Sequence, residues 1–298
     1  MKNKKYEILV DKFIIYKGKK LYRIKALKDF WSIGDINVVA YDEVNHIHTG
    51  DLGGYVEGYH NLSQEGTCWI FDCSKVYGNA EVRDHAKVRL DSEVFDFAKL
   101  TEFAFVCSES RVYGNARIKE SARVTNDSEV FGNARILKSA VVTKRSKVYG
   151  NALITGESVI NERTFVYGNV VVSENSQLGI ESNIYGNARI ISGNIYNNSR
   201  IFGNVTIYNA TVRHFSRVTD NSFVDGNALV DDSSLCGNSA ILDKSWVVSE
   251  AILKDNSAVR KGTKFGLGTL EDNAESYTTH TSSNTLKFNE REVQISER

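Results

Sequence analysis

The side chains best suited to acid–base chemistry in this chain are its six histidines. They are His46, His48, His60, His85, His214 and His280. A histidine that acts as a general base must face a bound substrate, usually inside a cleft. His85 and His214 instead fall where the repeat described below turns side chains toward solvent, and no insertion interrupts that repeat between residues 76 and 190. The sequence therefore disfavours catalysis and predicts no catalytic residue.

Metal binding is a second chemistry that these side chains could support. His46 and His48 stand two residues apart in "EVNHIHTG", but the sequence places no third ligand beside them. The four cysteines have neither C-x-x-C spacing nor a neighbouring histidine, so free thiols are expected. They are Cys68, Cys73, Cys107 and Cys236. We predict no metal site and no cofactor.

Anion binding is a third chemistry. Two sets of side chains recur every 18 residues, the cations Lys99, Arg117 and Arg135 and the aromatic residues Tyr113, Phe131 and Tyr149. Whether these side chains meet depends on a structure that brings residues 18 positions apart into contact.

The chain contains several near-copies of one eight-residue sequence. The copies are "KVYGNAEV" from Lys75, "RVYGNARI" from Arg111, "EVFGNARI" from Glu129 and "KVYGNALI" from Lys147. A shorter period lies within them, since every sixth residue from Val76 to Ile190 is Val, Ile or Leu and a small residue such as Ala80 follows four positions later. This period fits neither an amphipathic helix nor a long alternating strand, but it fits short strands joined by sharp corners.

The repeat predicts an all-β, single-stranded β-helix with three short strands per 18-residue coil and about eleven coils. The aliphatic and small residues point inward, because side chains two positions apart share a strand face. Glycine supplies the positive φ of the corner, and the asparagine after it tolerates that conformation better than most residues. One-residue deletions shift the period before Ile195, Val212 and Leu235. The absence of proline suits a backbone whose N–H groups join ladders.

The ends of such a coil need covers, because an open coil exposes unpaired backbone groups. Residues 1–50 contain the strand-like segments "YEILV", "FIIY" and "KLYRIKAL" and are predicted to form an N-terminal β cap. Residues 51–265 form the predicted β-helix, and residues 266–298 form a C-terminal cap or tail.

The repeat resembles that of the hexapeptide-repeat acyltransferases and, more closely, that of the YdcK-type β-solenoids, whose members repeat V-Y-G-N-A. The segment "GDLGGYVEGYHNLSQEGTCWIFDCSKVYGNA" from Gly50 is similar to the entry into that solenoid in many phage and prophage proteins. The resemblance implies a left-handed coil, a homotrimer and a phage or prophage origin. The acyltransferase activity attached to this group rests largely on analogy of fold.

Stacked coils turn recurring outward residues into columns. Like charges about 4.8 Å apart repel by about 0.5–1 kcal/mol per pair at a screened surface. Solvent and nearby acids could neutralise the cations, or the cations could bind an anion such as a nucleotide. The aromatic column could stabilise neighbouring coils alone or also stack on a ligand. The predicted ligand site comprises Lys99, Arg117, Arg123, Arg135, Tyr113, Phe131 and Tyr149.

Apolar residues occupy five outward positions where other coils carry charge. They are Val141, Leu153, Val159, Phe165 and Val171. Such residues are either tolerated on strands or mark an interface. We predict that they form an oligomer contact, with the trimer as the state that the resemblance implies.

The charge balance gives no strong nucleic-acid or membrane signal, since Lys+Arg and Asp+Glu both number 37. The start "MKNKKYEILV" lacks the apolar core of a signal peptide, so a cytoplasmic protein is expected, in the host cytoplasm if a phage encodes it. We predict a non-catalytic protein that binds or sequesters a host molecule, either an anionic ligand or a protein. The alternatives are a hexapeptide-repeat acyltransferase and a structural spacer.

Overall fold

The computed structural model describes residues 4–32, 45–276 and 285–286. The chain divides into two compact units, Met1–Glu157 and Ser158–Arg298. The described residues contain strands and turns but no helix, and therefore no helix that could cross a membrane.

The first unit is built on three parallel sheets, which we call faces A, B and C, and successive strands fall on them in turn. Face A contains β5 (Leu52–Val56), β7 (Lys75–Val76), β10 (Glu93–Val94), β13 (Arg111–Val112), β16 (Glu129–Val130) and β19 (Lys147–Val148). Face B contains β8 (Glu81–Val82), β11 (Lys99–Leu100), β14 (Arg117–Ile118), β17 (Arg135–Ile136) and β20 (Leu153–Ile154). Face C contains β6 (Trp69–Ile70), β9 (Lys87–Val88), β12 (Phe105–Val106), β15 (Arg123–Val124) and β18 (Val141–Val142).

The second unit also has three parallel sheets, which we call faces D, E and F. Face D contains β22 (Phe165–Val166), β25 (Asn183–Ile184), β28 (Arg200–Ile201), β31 (Arg217–Val218), β34 (Ser234–Leu235), β37 (Ile252–Leu253), β40 (Thr269–Leu270) and β42 (Thr285–Leu286). Face E contains β23 (Val171–Ser173), β26 (Arg189–Ile191), β29 (Thr206–Tyr208), β32 (Phe223–Val224), β35 (Ala240–Ile241), β38 (Ala258–Val259) and β41 (Glu275–Ser276). Face F contains β21 (Val159–Ile160), β24 (Gln177–Leu178), β27 (Asn194–Ile195), β30 (Thr211–Arg213), β33 (Leu229–Asp231), β36 (Trp246–Val248) and β39 (Lys264–Gly266).

The described strands make an all-β parallel β-solenoid of about 12 turns, which confirms the predicted fold class. The predicted interior is also confirmed, because every sixth residue from Val76 to Ile190 is 0% exposed. The small residues four positions later, such as Ala80 and Ser92, are equally buried. The core of each unit is therefore a narrow aliphatic interior lined at its corners by Ala and Ser.

Two antiparallel ribbons precede the coils. The first pairs β1 (Tyr6–Tyr16) with β2 (Lys19–Ala26), and β2 pairs antiparallel with β5. The second pairs β3 (Phe30–Ser32) with β4 (Asn45–Ile47). Because β5 continues into face A by parallel pairing with β7, the first ribbon covers the start of that face.

Polar side chains fasten the first ribbon to the coils. The hydroxyl of Tyr6 donates to the carbonyl of Leu62 at 2.6 Å, and the buried ammonium of Lys5 donates to the carbonyl of Cys68 at 2.9 Å. Burial lowers the pKa of Lys5. At the other end of β1, Tyr16 donates to the carboxylate of Glu93 at 2.7 Å. These contacts fix the ribbon at both of its ends.

Many residues at the corners of the coils have positive φ. Gly114 and Gly132 have φ of 68° and 69°, whereas the asparagines that follow them lie outside the positive-φ region. The expectation that Asn shares the strained conformation is therefore wrong at these corners, and its contribution is described below. The predicted deletions appear as shortened corners in the second unit, where Ser192, Asn209 and Asp232 take positive φ directly after a strand.

Candidate functional site

The predicted cations form a column on face B. Lys99 pairs in register with Arg117, and Arg117 pairs in register with Arg135. All three side chains are exposed. Parallel pairing places neighbouring residues of the column about 4.8 Å apart at the backbone, so the three positive charges project side by side from one flat surface.

The column is neutralised at one end only. Lys99 forms an ion pair with Glu81 at 3.2 Å, and the same carboxylate contacts Arg83. In the described part of the chain, neither Arg117 nor Arg135 has a carboxylate within ion-pair distance or a side-chain hydrogen bond. Lys119, two residues after Arg117 and half-buried, adds a cation that we did not single out from the sequence. Lys119 could have been identified from the sequence, because side chains two positions apart along a strand point to the same side.

The predicted aromatic residues form a tightly stacked column at the corner between faces A and B. The ring centroids of Tyr113 and Phe131 lie 4.8 Å apart, and those of Phe131 and Tyr149 lie 4.7 Å apart, with interplanar angles of 2° and 3°. Phe131 thus has a ring on each of its faces. A planar ligand can therefore reach its edge but cannot stack on it without opening the column.

The hydroxyl of Tyr113 donates to the Glu129 carboxylate at 3.0 Å. Burial, followed by this hydrogen bond, raises the pKa of Tyr113 to about 12. The phenol is therefore neutral near pH 7 and acts as a structural donor.

An amide ladder lies between the rings and the cations. The side-chain amide of Asn115 donates to that of Asn133 at 3.1 Å, and Asn133 donates to Asn151 at 3.0 Å. The sequence Tyr113-Gly114-Asn115-Ala116-Arg117 thus sets a ring, an amide and a cation side by side, and Phe131, Asn133 and Arg135 repeat the set in the next coil. The ladder explains why Asn follows Gly in the repeat, and chains of such hydrogen bonds strengthen one another. We did not predict it from the sequence.

Arg123 does not belong to this surface. It lies on face C, where it pairs in register with Phe105, and its guanidinium stands 5.7 Å from the centre of that ring. The residue is only 7% exposed. The structure therefore brings together six of the seven predicted ligand residues along faces A and B and separates the seventh.

The predicted interface residues are half-buried and distributed over several sheets. In the first unit, Val141 lies on face C and Leu153 lies on face B, next in register to Arg135. In the second unit, Val159, Phe165 and Val171 lie on faces F, D and E. The oligomer contact stays a prediction.

The histidines are held by different neighbours. His60 donates to the carbonyl of Gly78 at 2.8 Å, and His85 bonds to Thr67 at 2.8 Å. His214 bonds to Asp231 at 2.6 Å. His280 lies outside the described residues. His46 and His48 do lie together, with their ring nitrogens Nδ1 and Nε2 3.1 Å apart.

Arg117→Glu is expected to raise the free energy of unfolding by about 0.5–1 kcal/mol, because a carboxylate between Lys99 and Arg135 replaces two repulsive register contacts with attractive ones. Urea unfolding at low and high salt measures the effect, which salt should screen. Arg189→Glu is the matched control, since its register partners Val171 and Thr206 carry no charge. An equal gain in both variants, or a loss in Arg117→Glu, would contradict the proposed repulsion.

The geometry defines a parallel β-solenoid with an uncompensated cationic surface on one face of its first unit. Within the second unit, residues 199–214 match a family model described as YdcK Beta solenoid repeat. No curated protein matches the sequence. The matched segment spans β28 to β30, and with the fold it confirms the resemblance to YdcK-type β-solenoids. The match identifies the type of repeat and says nothing about an activity.

Proposed function

We propose that the protein is a non-catalytic binding protein that holds an anionic ligand on face B of its first unit. The observation that supports this most is the register pairing of Arg117 with Arg135 in the absence of a neighbouring carboxylate among the described residues. Two guanidinium groups held side by side destabilise the free protein slightly. An anion that bridges them removes this repulsion and gains charge-assisted hydrogen bonds.

The shape of the surface favours ligands that present several negative oxygens. Guanidinium groups bind phosphate and carboxylate through two parallel hydrogen bonds, and two such groups one coil apart suit adjacent phosphates or adjacent carboxylates. The Asn115 and Asn133 amides beside them can contribute further polar contacts. Because Phe131 is stacked on both faces, we propose that a nucleotide would be held through its phosphates rather than its base.

The biological setting that we propose follows the resemblance to phage and prophage proteins. A phage- or prophage-encoded binder of this kind would act by sequestering an anionic host molecule or by covering an acidic surface of a host protein. We propose a homotrimer as its assembly, by analogy with hexapeptide-repeat proteins.

The double variant Arg117→Ala with Arg135→Ala is expected to weaken ligand binding about a hundredfold or more, since each charge-assisted contact contributes about 1.5–3 kcal/mol. Calorimetry at low salt with ATP, pyrophosphate and polyglutamate measures this loss, and added salt should weaken binding to the wild type. The control Arg189→Ala with Lys264→Ala removes the same charge from exposed positions in the second unit, where the register partners Val171, Thr206 and Trp246 carry no charge.

Two results would contradict the proposal. If no polyanion binds the wild type, the structural-spacer alternative is favoured. If the Arg117/Arg135 variant binds at full strength but unfolds more easily, the column has a structural role and the ligand site lies elsewhere.

A further inference from the structure

Three potential metal ligands converge on the ribbon formed by β3 and β4. His46 lies on β4 opposite Trp31 of β3, His48 follows two positions later, and Asp29 immediately precedes β3. Alternate residues of a strand share a face, so both imidazoles project to the same side. One donor atom from each of Asp29, His46 and His48 lies within 4.8 Å of the other two.

The spacing of the two imidazole nitrogens fits a shared ion. His46 Nδ1 and His48 Nε2 are 3.1 Å apart. Two nitrogens that bind one tetrahedral Zn²⁺ at about 2.05 Å stand about 3.3 Å from each other. The two nitrogens therefore already stand close to the separation that coordination by both rings requires, and an ion would replace the hydrogen bond between them once each ring turns its lone pair toward it.

The carboxylate is oriented by neighbours that leave one of its oxygens available. Asp29 Oδ1 accepts hydrogen bonds from the backbone N–H and the hydroxyl of Thr49, both at 2.7 Å. Asp29 Oδ2 faces the ring of His48, 4.0 Å from Nδ1. The backbone N–H of His48 donates to Asp51 at 2.8 Å, and the ring of Trp31 packs on His46 with centroids 4.3 Å apart. Such contacts around the ligands hold them in place, as in known metal sites.

We propose that Asp29, His46 and His48 bind a divalent transition-metal ion of the Zn²⁺ class through two imidazole nitrogens and one carboxylate oxygen. Imidazole donors favour Zn²⁺, Cu²⁺ or Ni²⁺ over Mg²⁺ and Ca²⁺, which prefer oxygen-only sites. Asp29 and His48 are exposed and His46 is half-buried, so solvent can complete the coordination. The ion would link Asp29, which precedes β3, to His46 on β4 and to His48, which follows β4.

Isothermal titration of the full chain with ZnCl₂ tests the site. The wild type is expected to bind one ion per chain, and MgCl₂ should give no comparable binding. His48→Ala is expected to lower the Zn²⁺ affinity at least tenfold. Asp29→Asn should also lower it while keeping an oxygen that can accept the Thr49 hydrogen bonds. His214→Ala, which disrupts a histidine–aspartate contact elsewhere, should leave the affinity unchanged.

A thermal-unfolding scan with and without Zn²⁺ provides a second readout, because an ion that binds only the folded state raises its stability. The rise is expected in the wild type and in His214→Ala and is lost in both site variants. The proposal is wrong if the wild type binds no Zn²⁺, or if His48→Ala and Asp29→Asn, correctly folded, bind it as tightly as the wild type.

Discussion

Gly132→Val is expected to lower the free energy of unfolding by about 2–4 kcal/mol. Gly132 has φ of +69°, which a β-branched residue adopts only with strain. A Cβ at this position would also lie 3.0 Å from the backbone nitrogen and 3.1 Å from the backbone oxygen of Gly150 in the next coil. The side chain would therefore press on the backbone of the stacked corner, which has little freedom to move.

Gly132→Asp is the informative control for this prediction. Asp96 occupies the equivalent corner two coils earlier with φ of 59°, and its carboxylate accepts the backbone N–H of Gly114 at 3.1 Å. The same bond to Gly150 should limit the loss in Gly132→Asp to about 1 kcal/mol. Urea unfolding measures both variants. Equal stability of Gly132→Val and the wild type would show that the corner does not require glycine.

Glu93→Ala is expected to cost about 2–4 kcal/mol, because its carboxylate holds donors from two parts of the first unit. It accepts the hydroxyls of Tyr16 at 2.7 Å and Tyr77 at 2.8 Å and the ammonium of Lys17 at 2.9 Å. Tyr77 is buried and its hydroxyl would lose the acceptor for its proton, whereas Lys17 is half-exposed and can be solvated. Losing Glu93 should also release the β1–β2 ribbon, which limited proteolysis would detect.

Glu129→Ala is the matched control, since Glu129 lies on the same column but contacts residues of the coils, accepting from Tyr113 and Lys147 and lying 3.9 Å from Arg111. It should cost about 1–2 kcal/mol and leave the ribbon resistant to protease. If Glu93→Ala also leaves the ribbon resistant, the carboxylate does not anchor it.

Acid should weaken the Glu93 contacts. Burial alone would raise the pKa of Glu93, but the hydrogen bonds from Tyr16, Lys17 and Tyr77 outweigh it and lower the pKa below its ordinary value. A carboxyl whose folded pKa is lowered stabilises the protein above the unfolded value of about 4.3 and loses this contribution as the pH falls through the folded pKa. The stability difference between wild type and Glu93→Ala should accordingly shrink as the pH falls below about 4.3.

The interior could be read from the sequence because a period of six directly reports which side chains point inward. Every aliphatic residue from Val76 to Ile190 that the period selects is buried. The period does not report handedness, since a coil of either hand places side chains two positions apart on the same strand face.

The exterior was harder to predict, because a local period distinguishes inside from outside but not covered from exposed. Lys87, Phe105 and Arg123 occupy the same outward position as Lys99, yet they are 3%, 4% and 7% exposed. What packs on a face depends on residues distant in sequence. The register pairs of the cation column were predictable from their spacing. That no carboxylate among residues 4–32, 45–276 and 285–286 pairs with Arg117 or Arg135 could be learned only from the structure.

The proposed metal ligands show the same limit. His46 and His48 are visible as a pair in the sequence, but Asp29 joins them only through the antiparallel register of β3 and β4. The expectation that the pair lacks a third partner is therefore wrong. Ribbon register depends on long-range pairing, which no local motif in this segment specifies.

Native mass spectrometry of the protein isolated from the cells that naturally make it tests the central claim most directly. The wild type is expected to carry an additional acidic species that the Arg117→Ala, Arg135→Ala variant lacks, while Arg189→Ala with Lys264→Ala retains it. The same spectra report the oligomeric state. An identical bound species in the wild type and in the Arg117/Arg135 variant, or no bound species in any of the three, would contradict anion binding on face B.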